Sequence, residues 1–225
     1  MDRNVIYVGL DVDDTQYHGS ALNKETGEVI SFQCRPTLSG LLKQLAKLDQ
    51  VFPDSTLSLC YEASYIGYTL QRDLAKHGYH CDVVAPSSIP SPRGKQIKTD
   101  RIDAAQLAQF YANGLLTIVA IPEPEQEHDR DLLRSRKKLV DQRKELRTHI
   151  LSLLRRNGRH FQQETPNKAN WTMPHQYWLG KVVTTSSGSF AVNLSLLVRQ
   201  LKAVNGILTE YAQEIHAMAK TERYE

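Results

Sequence analysis

Cysteine is scarce in this sequence, and long apolar runs are missing. Three cysteines, Cys34, Cys60 and Cys81, occur in 225 residues, and none of them belongs to a CxxC pair. An odd number of widely spaced cysteines argues against a disulfide framework and favours a reducing compartment. The apolar stretch at residues 115–121 (LLTIVAI) is far shorter than the ~20 residues that cross a bilayer. We therefore expect a cytoplasmic protein with neither a membrane span nor a signal peptide.

The charge is nearly balanced in number but uneven in position. Lysine and arginine total 28, and aspartate and glutamate total 25, which gives a net charge of +3.

The length allows roughly one to two domains. Pro122 and Pro124 mark a boundary, so we expect a first domain at 1–121 and a second region at 122–225.

Short segments rich in β-branched and aromatic residues fill the first half of the chain, and their predicted order is β-β-β-α-β-α-β. The predicted strands cover 5–12, 16–22, 28–33, 57–63 and 81–85, and the predicted helices cover 39–48, capped by Ser39, and 67–76. The first three strands predict an antiparallel meander, and the later alternation predicts parallel pairing with right-handed crossovers. The expected fold class is α/β, a mixed sheet with flanking helices that resembles the ribonuclease-H-like sheet.

The second region is predicted to be helical. Leucines repeat every seven residues from 129 to 156, and a second heptad run extends from 194 to 218. The intervening segment, 158–190, contains proline, glycine and a polar run, and is predicted to be an irregular insert. Two such runs predict an α-helical coiled-coil arm, as a helical hairpin, a dimerisation coil, or both.

Four acidic residues stand at positions that this fold would bring to one sheet edge. Asp11 ends the first strand, Glu62 ends the fourth, and Asp100 and Asp103 begin a helix predicted to end at Asn113-Gly114. Adjacent strands lie ~4.8 Å apart, and helical residues three apart share a face. Crowded carboxylates repel unless a cation separates them, and oxygen ligands select Mg²⁺ or Mn²⁺. Two such ions support an in-line phosphoryl displacement.

Each of these carboxylates also has a structural interpretation. Asp11 can belong to a turn, Glu62 can mark where a strand reaches solvent, and Asp100 and Asp103 can cap a helix and complement its dipole. The fourth strand is apolar, and we expect it to be buried on both faces. This environment favours the metal-binding interpretation of Glu62. A glutamate there has a burial cost that capping does not explain.

Basic residues concentrate in two places. The segment from Arg130 to Arg159 contains eleven lysines and arginines but only three acidic residues. This excess of positive charge suits binding to a phosphate backbone. The candidate nucleic-acid contacts are Arg134, Lys137, Lys138, Arg143, Arg147, Arg155 and Arg156 on the helix, and Arg93, Lys95, Lys98 and Arg101 beside the acidic cluster. The alternative is an ordinary solvated helix face. In the insert, Trp171, His175, Tyr177 and Trp178 either stack on unpaired bases or form a small core.

Three segments carry a resemblance to a known family. They are VIYVGLDV with Asp11, LCYEAS with Glu62, and GKQIKTDRIDAAQLAQ with Asp100 and Asp103, and the K-T-D-x-x-D-A element is the most specific. In this order and spacing they resemble the Asp-Glu-Asp-Asp domain of the IS110 ("one-ten") insertion-sequence transposases and their relatives, the Piv DNA invertases. The resemblance is close over residues 4–120 and looser over the basic helices.

The resemblance implies a RuvC-like domain in which Asp11, Glu62, Asp100 and Asp103 bind Mg²⁺ or Mn²⁺ for DNA strand cleavage and exchange. It further implies DNA partners at the element ends and the target, a guide RNA, and a nucleophilic serine in a separate C-terminal domain. The sequence ends at Glu225, before such a domain would begin, and Ser186, Ser187 and Ser189 do not resemble the nucleophile segment. We expect a dimer or tetramer through the coil, associated with the bacterial nucleoid.

Two other functions remain open. The first is a stand-alone, metal-dependent, structure-specific endonuclease of the Holliday-junction-resolvase type, in which the four carboxylates need no serine. The second is a non-catalytic nucleic-acid-binding and dimerisation module. Metal-dependent cutting of branched DNA favours the first, and salt-sensitive binding without cleavage favours the second.

Overall fold

The computed structural model describes residues 4–89, 100–166, 168–221 and 223–224. The chain divides into two compact units, Met1–Ile121 and Pro122–Glu225, which we call the sheet unit and the helical unit. The sheet unit contains β1 (Asn4–Val12), β2 (Tyr17–Asn23), β3 (Val29–Cys34), α1 (Leu38–Val51), β4 (Ser55–Glu62), α2 (Thr69–Lys76), β5 (His80–Val84) and α3 (Asp100–Ala112).

The five strands form one mixed sheet in the order β3-β2-β1-β4-β5. β1, β2 and β3 pair antiparallel, and β4 pairs parallel with both β1 and β5. The predicted α/β class, meander and parallel pairing are therefore confirmed, with strand bounds that differ by one or two residues. The sheet is mixed because short turns join the first three strands while helices connect the others.

Two details of the sheet unit follow from local backbone chemistry. The prediction that Ser39 caps α1 is wrong: Thr37 has the extended backbone of a cap, and its hydroxyl accepts a hydrogen bond from the Gly40 amide. α3 ends before Gly114, which has a φ of 65° and so terminates the helix in a left-handed turn. The predicted extended segment beyond it bridges the edge of β5 through Ile118 and Val84.

α3 packs on the sheet at a close backbone approach. A Cβ added to Gly9 on β1 would meet the Ala104 carbonyl oxygen, and would lie 2.5 Å from the Ala108 amide nitrogen and 2.8 Å from the Leu107 Cβ. Because two of these atoms are backbone, no side-chain rotation relieves the clash. Glycine at this position is what lets α3 lie directly on β1.

The helical unit contains α4 (Pro124–Arg156), α5 (Phe161–Glu164), α6 (Met173–Thr185) and α7 (Gly188–Met218). Ile150 and Leu154 near the end of α4 share a buried cluster with Leu194 near the start of α7. Arg223 and Tyr224, beyond the end of α7, donate to the Asp129 carboxylate near the start of α4 at 2.6 and 2.9 Å. The two long helices therefore run antiparallel within the chain, as the hairpin alternative requires.

The segment predicted to be irregular contains a thirteen-residue helix, α6. The buried residues His175, Trp178, Leu179 and Val182 follow a helical spacing. Pro174 lies in the first turn, where a missing amide proton costs nothing. Pro174 and Ser186 therefore mark the ends of α6, and Gly180 is accommodated within the helix.

Aromatic rings surround His175 in the helical unit. Its ring centroid lies 4.8 Å from that of Phe161, 4.9 Å from Trp171 and 5.7 Å from Trp178. His175 is fully buried, and burial lowers the pKa of its imidazole from 6.5 to about 4. Of the four residues singled out in the insert, three belong to this core, and only Tyr177 is largely exposed.

The cysteines and the apolar character of the helices bear on two expectations from the sequence, concerning disulfides and membrane spans. Cys34, Cys60 and Cys81 are free and buried. Within the described ranges, no helix combines the length and the apolar character needed to cross a bilayer.

Gly9→Ala is expected to destabilise the sheet unit by about 3 kcal/mol, because the added methyl group forces α3 away from β1. Chemical denaturation followed by circular dichroism measures the change. Gly206→Ala in α7 is the control, since nothing lies within 4 Å of its added Cβ and alanine favours a helix by up to about 1 kcal/mol. An unchanged midpoint for Gly9→Ala would contradict the close approach.

Acidification is expected to destabilise the helical unit through His175. Its pKa is lower in the folded state than in the unfolded state, so the unfolded chain takes up the proton first. The stability contributed by the neutral ring is complete above pH 6.5 and is lost as the pH falls to about 4, a loss of up to about 3 kcal/mol. Melting temperatures between pH 7 and 4 measure it. His175→Phe is expected to flatten the profile, and His149→Gln, at an exposed histidine of α4, is expected to leave it unchanged.

Candidate functional site

Asp11 and Glu62 occupy neighbouring positions at the carboxyl ends of β1 and β4. The parallel register pairs Gly9 with Cys60 and Leu10 with Tyr61, and Asp11 and Glu62 are the next residues on their strands. Paired positions of parallel strands place their side chains on the same face. Both carboxylates therefore lie on one face and at one edge of the sheet.

That face is the one covered by α3. Gly9, two residues before Asp11, approaches the α3 backbone, and the Cys60 thiol, two residues before Glu62, lies 4.0 Å from the Leu107 carbonyl oxygen. Because strand side chains alternate between faces, Asp11 and Glu62 share the face of Gly9 and Cys60.

The direction of α3 brings its first turn to the same edge. Near the end of α3, Tyr111 packs edge-on against Tyr7, with ring centroids 5.6 Å apart, while Ala104 approaches Gly9. α3 thus runs antiparallel to β1, and each step toward its start is a step toward Asp11. Asp100 and Asp103 belong to the turn at that end.

The exposure of these acids differs from the prediction. Glu62 is exposed, although β4 itself is buried at Leu59, Cys60 and Tyr61. The expectation of a buried glutamate is therefore wrong: the side chain lies where the strand ends and reaches water. Asp11 and Asp103 are partly buried, and the side chain of Asp100 lies outside the described part.

Within the described part of the chain, no group of three or more acidic, histidine or cysteine side chains is arranged to hold a metal ion. The four-carboxylate cluster therefore stays a prediction. The structure places Asp11, Glu62 and the first turn of α3 on one face at one edge. Their carboxylate oxygens are the donors that Mg²⁺ prefers.

A hydrogen-bonded group that sequence reasoning missed anchors the other end of α3. The Tyr111 hydroxyl donates to the Asp82 carboxylate at 2.6 Å and lies 2.9 Å from the Ser58 hydroxyl. Burial, followed by the bond to Asp82, raises the pKa of Tyr111. In the sequence, the only signal is an aspartate inside the otherwise apolar strand CDVVA.

The predicted nucleic-acid residues divide between two faces of α4. Arg134 pairs with Asp131 at 3.1 Å, and Lys137 pairs with Asp141 at 2.6 Å. Lys138, Arg155 and Arg156 are exposed, and the described contacts give them no ion pair. These residues form what we call the outer face of α4: Arg134, Lys137, Lys138, Arg155 and Arg156.

Arg143 and Arg147 do not belong to the outer face. Both are partly buried, and the Arg147 guanidinium lies over the Trp171 ring, 5.1 Å from its centroid. Burial lowers the pKa of Arg147. Each lies three residues from a seam position, Leu146 or Ile150, so the helix turns it toward the core. Arg93, Lys95 and Lys98 lie outside the described residues, and Arg101 is described only as helix backbone.

The region similar to known proteins includes the end of β1 and all of β4 and α3, which carry the candidate acidic residues. The family model for IS110 transposases of the DEDD type matches residues 8–157, which is more than half of the chain. The y4qE protein of Sinorhizobium fredii, whose name describes a transposase, is 37% identical over 139 residues, which are 61% of this chain and 33% of that protein.

A second relative is similar over nearly the whole sequence. The transposase for insertion sequence element IS1533 of Leptospira borgpetersenii is 28% identical over 220 residues, which are 94% of this chain and 62% of the relative. The chain thus spans between one third and about three fifths of the length of these two relatives. On the evidence of the matched family model, the chain belongs to the IS110 family of transposases.

Proposed function

We propose that this chain binds divalent metal and nucleic acid within an insertion-sequence transposase, and that its sheet unit cleaves DNA strands. The observation that carries the proposal is the parallel register that makes Asp11 and Glu62 neighbours on the face covered by α3. Support for a RuvC-like, ribonuclease-H-type fold comes from the strand order β3-β2-β1-β4-β5.

In this proposal Asp11, Glu62, Asp100 and Asp103 hold Mg²⁺ or Mn²⁺. Bound there, such ions would supply positive charge to the attacking and leaving oxygens of an in-line displacement at phosphorus. Asp11 and Glu62 provide oxygens from the rigid ends of two adjacent strands. α3 provides the others from its first turn, where the positive end of the helix dipole also favours an incoming phosphate.

The resemblance to the family supports the rest of the reaction. We propose that strand exchange joins these carboxylates with a nucleophilic serine on a C-terminal domain, and that a guide RNA selects the DNA. The exposed outer face of α4 supports a nucleic-acid contact, since Lys138, Arg155 and Arg156 have no ion pair among the described contacts and exposed cations along a long helix attract a phosphate backbone.

Self-association as a dimer or tetramer is also part of the proposal. The buried heptad positions of α7, among them Leu201 and Leu208, belong to the face that packs within the chain. A second copy would therefore contact other residues, and the exposed apolar side chains of α7 include Val192, Leu196 and Ile207.

Asp11→Asn and Glu62→Gln are each expected to weaken Mn²⁺ binding by about tenfold or more, because each removes one charged oxygen ligand. Isothermal titration calorimetry measures the affinity. Asp54→Asn is the matched control, since Asp54 is exposed and precedes β4 at the opposite end from Glu62. Equal heats for wild type and Asp11→Asn would sink the metal assignment.

The double substitution Lys138→Gln and Arg156→Gln is expected to weaken binding to a DNA duplex or a structured RNA. It is also expected to reduce the slope of log K against log salt by about 2, because two phosphate contacts are lost. Fluorescence polarisation at several salt concentrations measures both. Lys43→Gln with Lys47→Gln on α1 removes the same charge from exposed positions. If this control gives the same loss, the binding reflects net charge and not the outer face.

A further inference from the structure

A small pocket lies in the helical unit between the end of α4, α5 and α6. Its volume is about 140 Å³, and its lining includes Arg155, Arg159, Phe161, Asn170, His175 and Trp178. The pocket therefore presents an amide and two guanidinium groups, together with small exposed parts of the Phe161 and Trp178 rings.

His175 is the unusual member of this lining. It is fully buried, and neither Nδ1 nor Nε2 has a hydrogen-bond partner among the described residues. A buried polar atom without a partner costs about 1–3 kcal/mol. Both nitrogens are covered by neighbouring side chains, so a ligand that hydrogen-bonds to the imidazole removes that cost once a covering side chain moves aside.

The charge at the pocket is positive. Arg155 and Arg159 are exposed, and the described contacts give neither an ion pair. The nearby Glu164 carboxylate accepts a hydrogen bond from the Trp178 indole at 2.7 Å. Two guanidinium groups without carboxylate partners suit a phosphate, which they bind with directed hydrogen bonds.

The volume limits what the pocket can hold. A cavity of roughly 150 Å³ accommodates one benzene-sized ring, and this pocket has about 140 Å³. A single six-membered ring fits within this space, whereas the double ring of a purine would extend through the open side of the pocket into solvent. Ring nitrogens and carbonyl oxygens of a pyrimidine also offer both donors and acceptors to an imidazole and an amide.

We propose that this pocket binds one unpaired pyrimidine of a nucleic acid, with the adjoining phosphate against Arg155 and Arg159. The inference rests on the proposed nucleic-acid binding of α4 and extends it, because Arg155 belongs both to the outer face and to the pocket. A strand that follows the outer face reaches the pocket at the end of the helix. The base then leaves the strand and enters the pocket, where it contacts the small exposed parts of Phe161 and Trp178.

The chain contains two tryptophans, Trp171 and Trp178, and both lie in this part of the helical unit. Intrinsic fluorescence therefore reports on the pocket without a label. The full chain is titrated with uridine and thymidine trinucleotides, with adenosine trinucleotides of both sugars, and with inorganic phosphate. We expect quenching by the pyrimidines, with binding to the purines roughly tenfold weaker. A stronger effect of uridine would identify RNA as the source, and a stronger effect of thymidine would identify DNA.

Two substitutions and one control test the lining. Arg159→Gln and Asn170→Ala are each expected to weaken pyrimidine binding roughly three- to tenfold. Arg199→Gln, at an exposed arginine of α7, is expected to have no effect. Equal quenching by purines, quenching by phosphate alone, or unchanged affinity in both variants would overturn the pocket assignment.

Failure of this assignment is distinguishable from failure of the proposed function. The duplex and structured-RNA polarisation measurement depends on Lys138 and Arg156, which are not the residues substituted here. Salt-sensitive polarisation without tryptophan quenching overturns the pocket and leaves the α4 interface intact. Tryptophan quenching by pyrimidines without binding in the polarisation measurement supports the pocket assignment and contradicts the proposed nucleic-acid contact of α4.

Discussion

The contact between α3 and β1 at Gly9 determines where the first turn of α3 lies. A helix normally packs on a sheet through side chains, which hold the two backbones apart. Here the Ala104 and Ala108 backbones approach Gly9 closely, and Tyr111 packs against Tyr7 further along. The two contacts fix both the separation and the direction of the helix. That geometry brings the first turn of α3, which contains Asp103, to the edge of the sheet where Asp11 lies.

The sheet and its acidic edge are predictable from the sequence for a simple reason. Strand order and direction follow from the alternation of short turns and helices, and neighbouring strand ends follow from parallel pairing. The sequence alone therefore predicts that Asp11 and Glu62 lie side by side. Their burial could not, because the exposure of Glu62 depends on which residue ends the strand.

Three features are not predictable from residue type alone, because they depend on where each residue lies within a helix. Arg147 belongs to a basic run, yet its position three residues before Ile150 turns it over Trp171. α6 was hidden because Pro174 and Gly188 look like breaks when read singly, although each stands at a helix end. Thr37 caps α1 in place of Ser39 because capping needs an extended backbone as well as a hydroxyl. In all three cases residue type is ambiguous and position decides.

Hydrogen bonds hold α3 at its carboxyl end, far from the turn that carries Asp100 and Asp103. Asp82 and Ser58 bind the Tyr111 hydroxyl, and Lys24 donates to the Ala112 carbonyl oxygen at 2.7 Å, so the pivot is at the carboxyl end of the helix. From Tyr111 to Asp100 the arm is about 16 Å long at 1.5 Å per residue. A tilt of about ten degrees around the pivot moves the first turn by about 3 Å. The Gly9 contact at Ala104 lies between this pivot and the first turn, so such a tilt would also have to move Ala104 relative to β1. The hydrogen bonds of Tyr111 and the Gly9 contact therefore hold the first turn together.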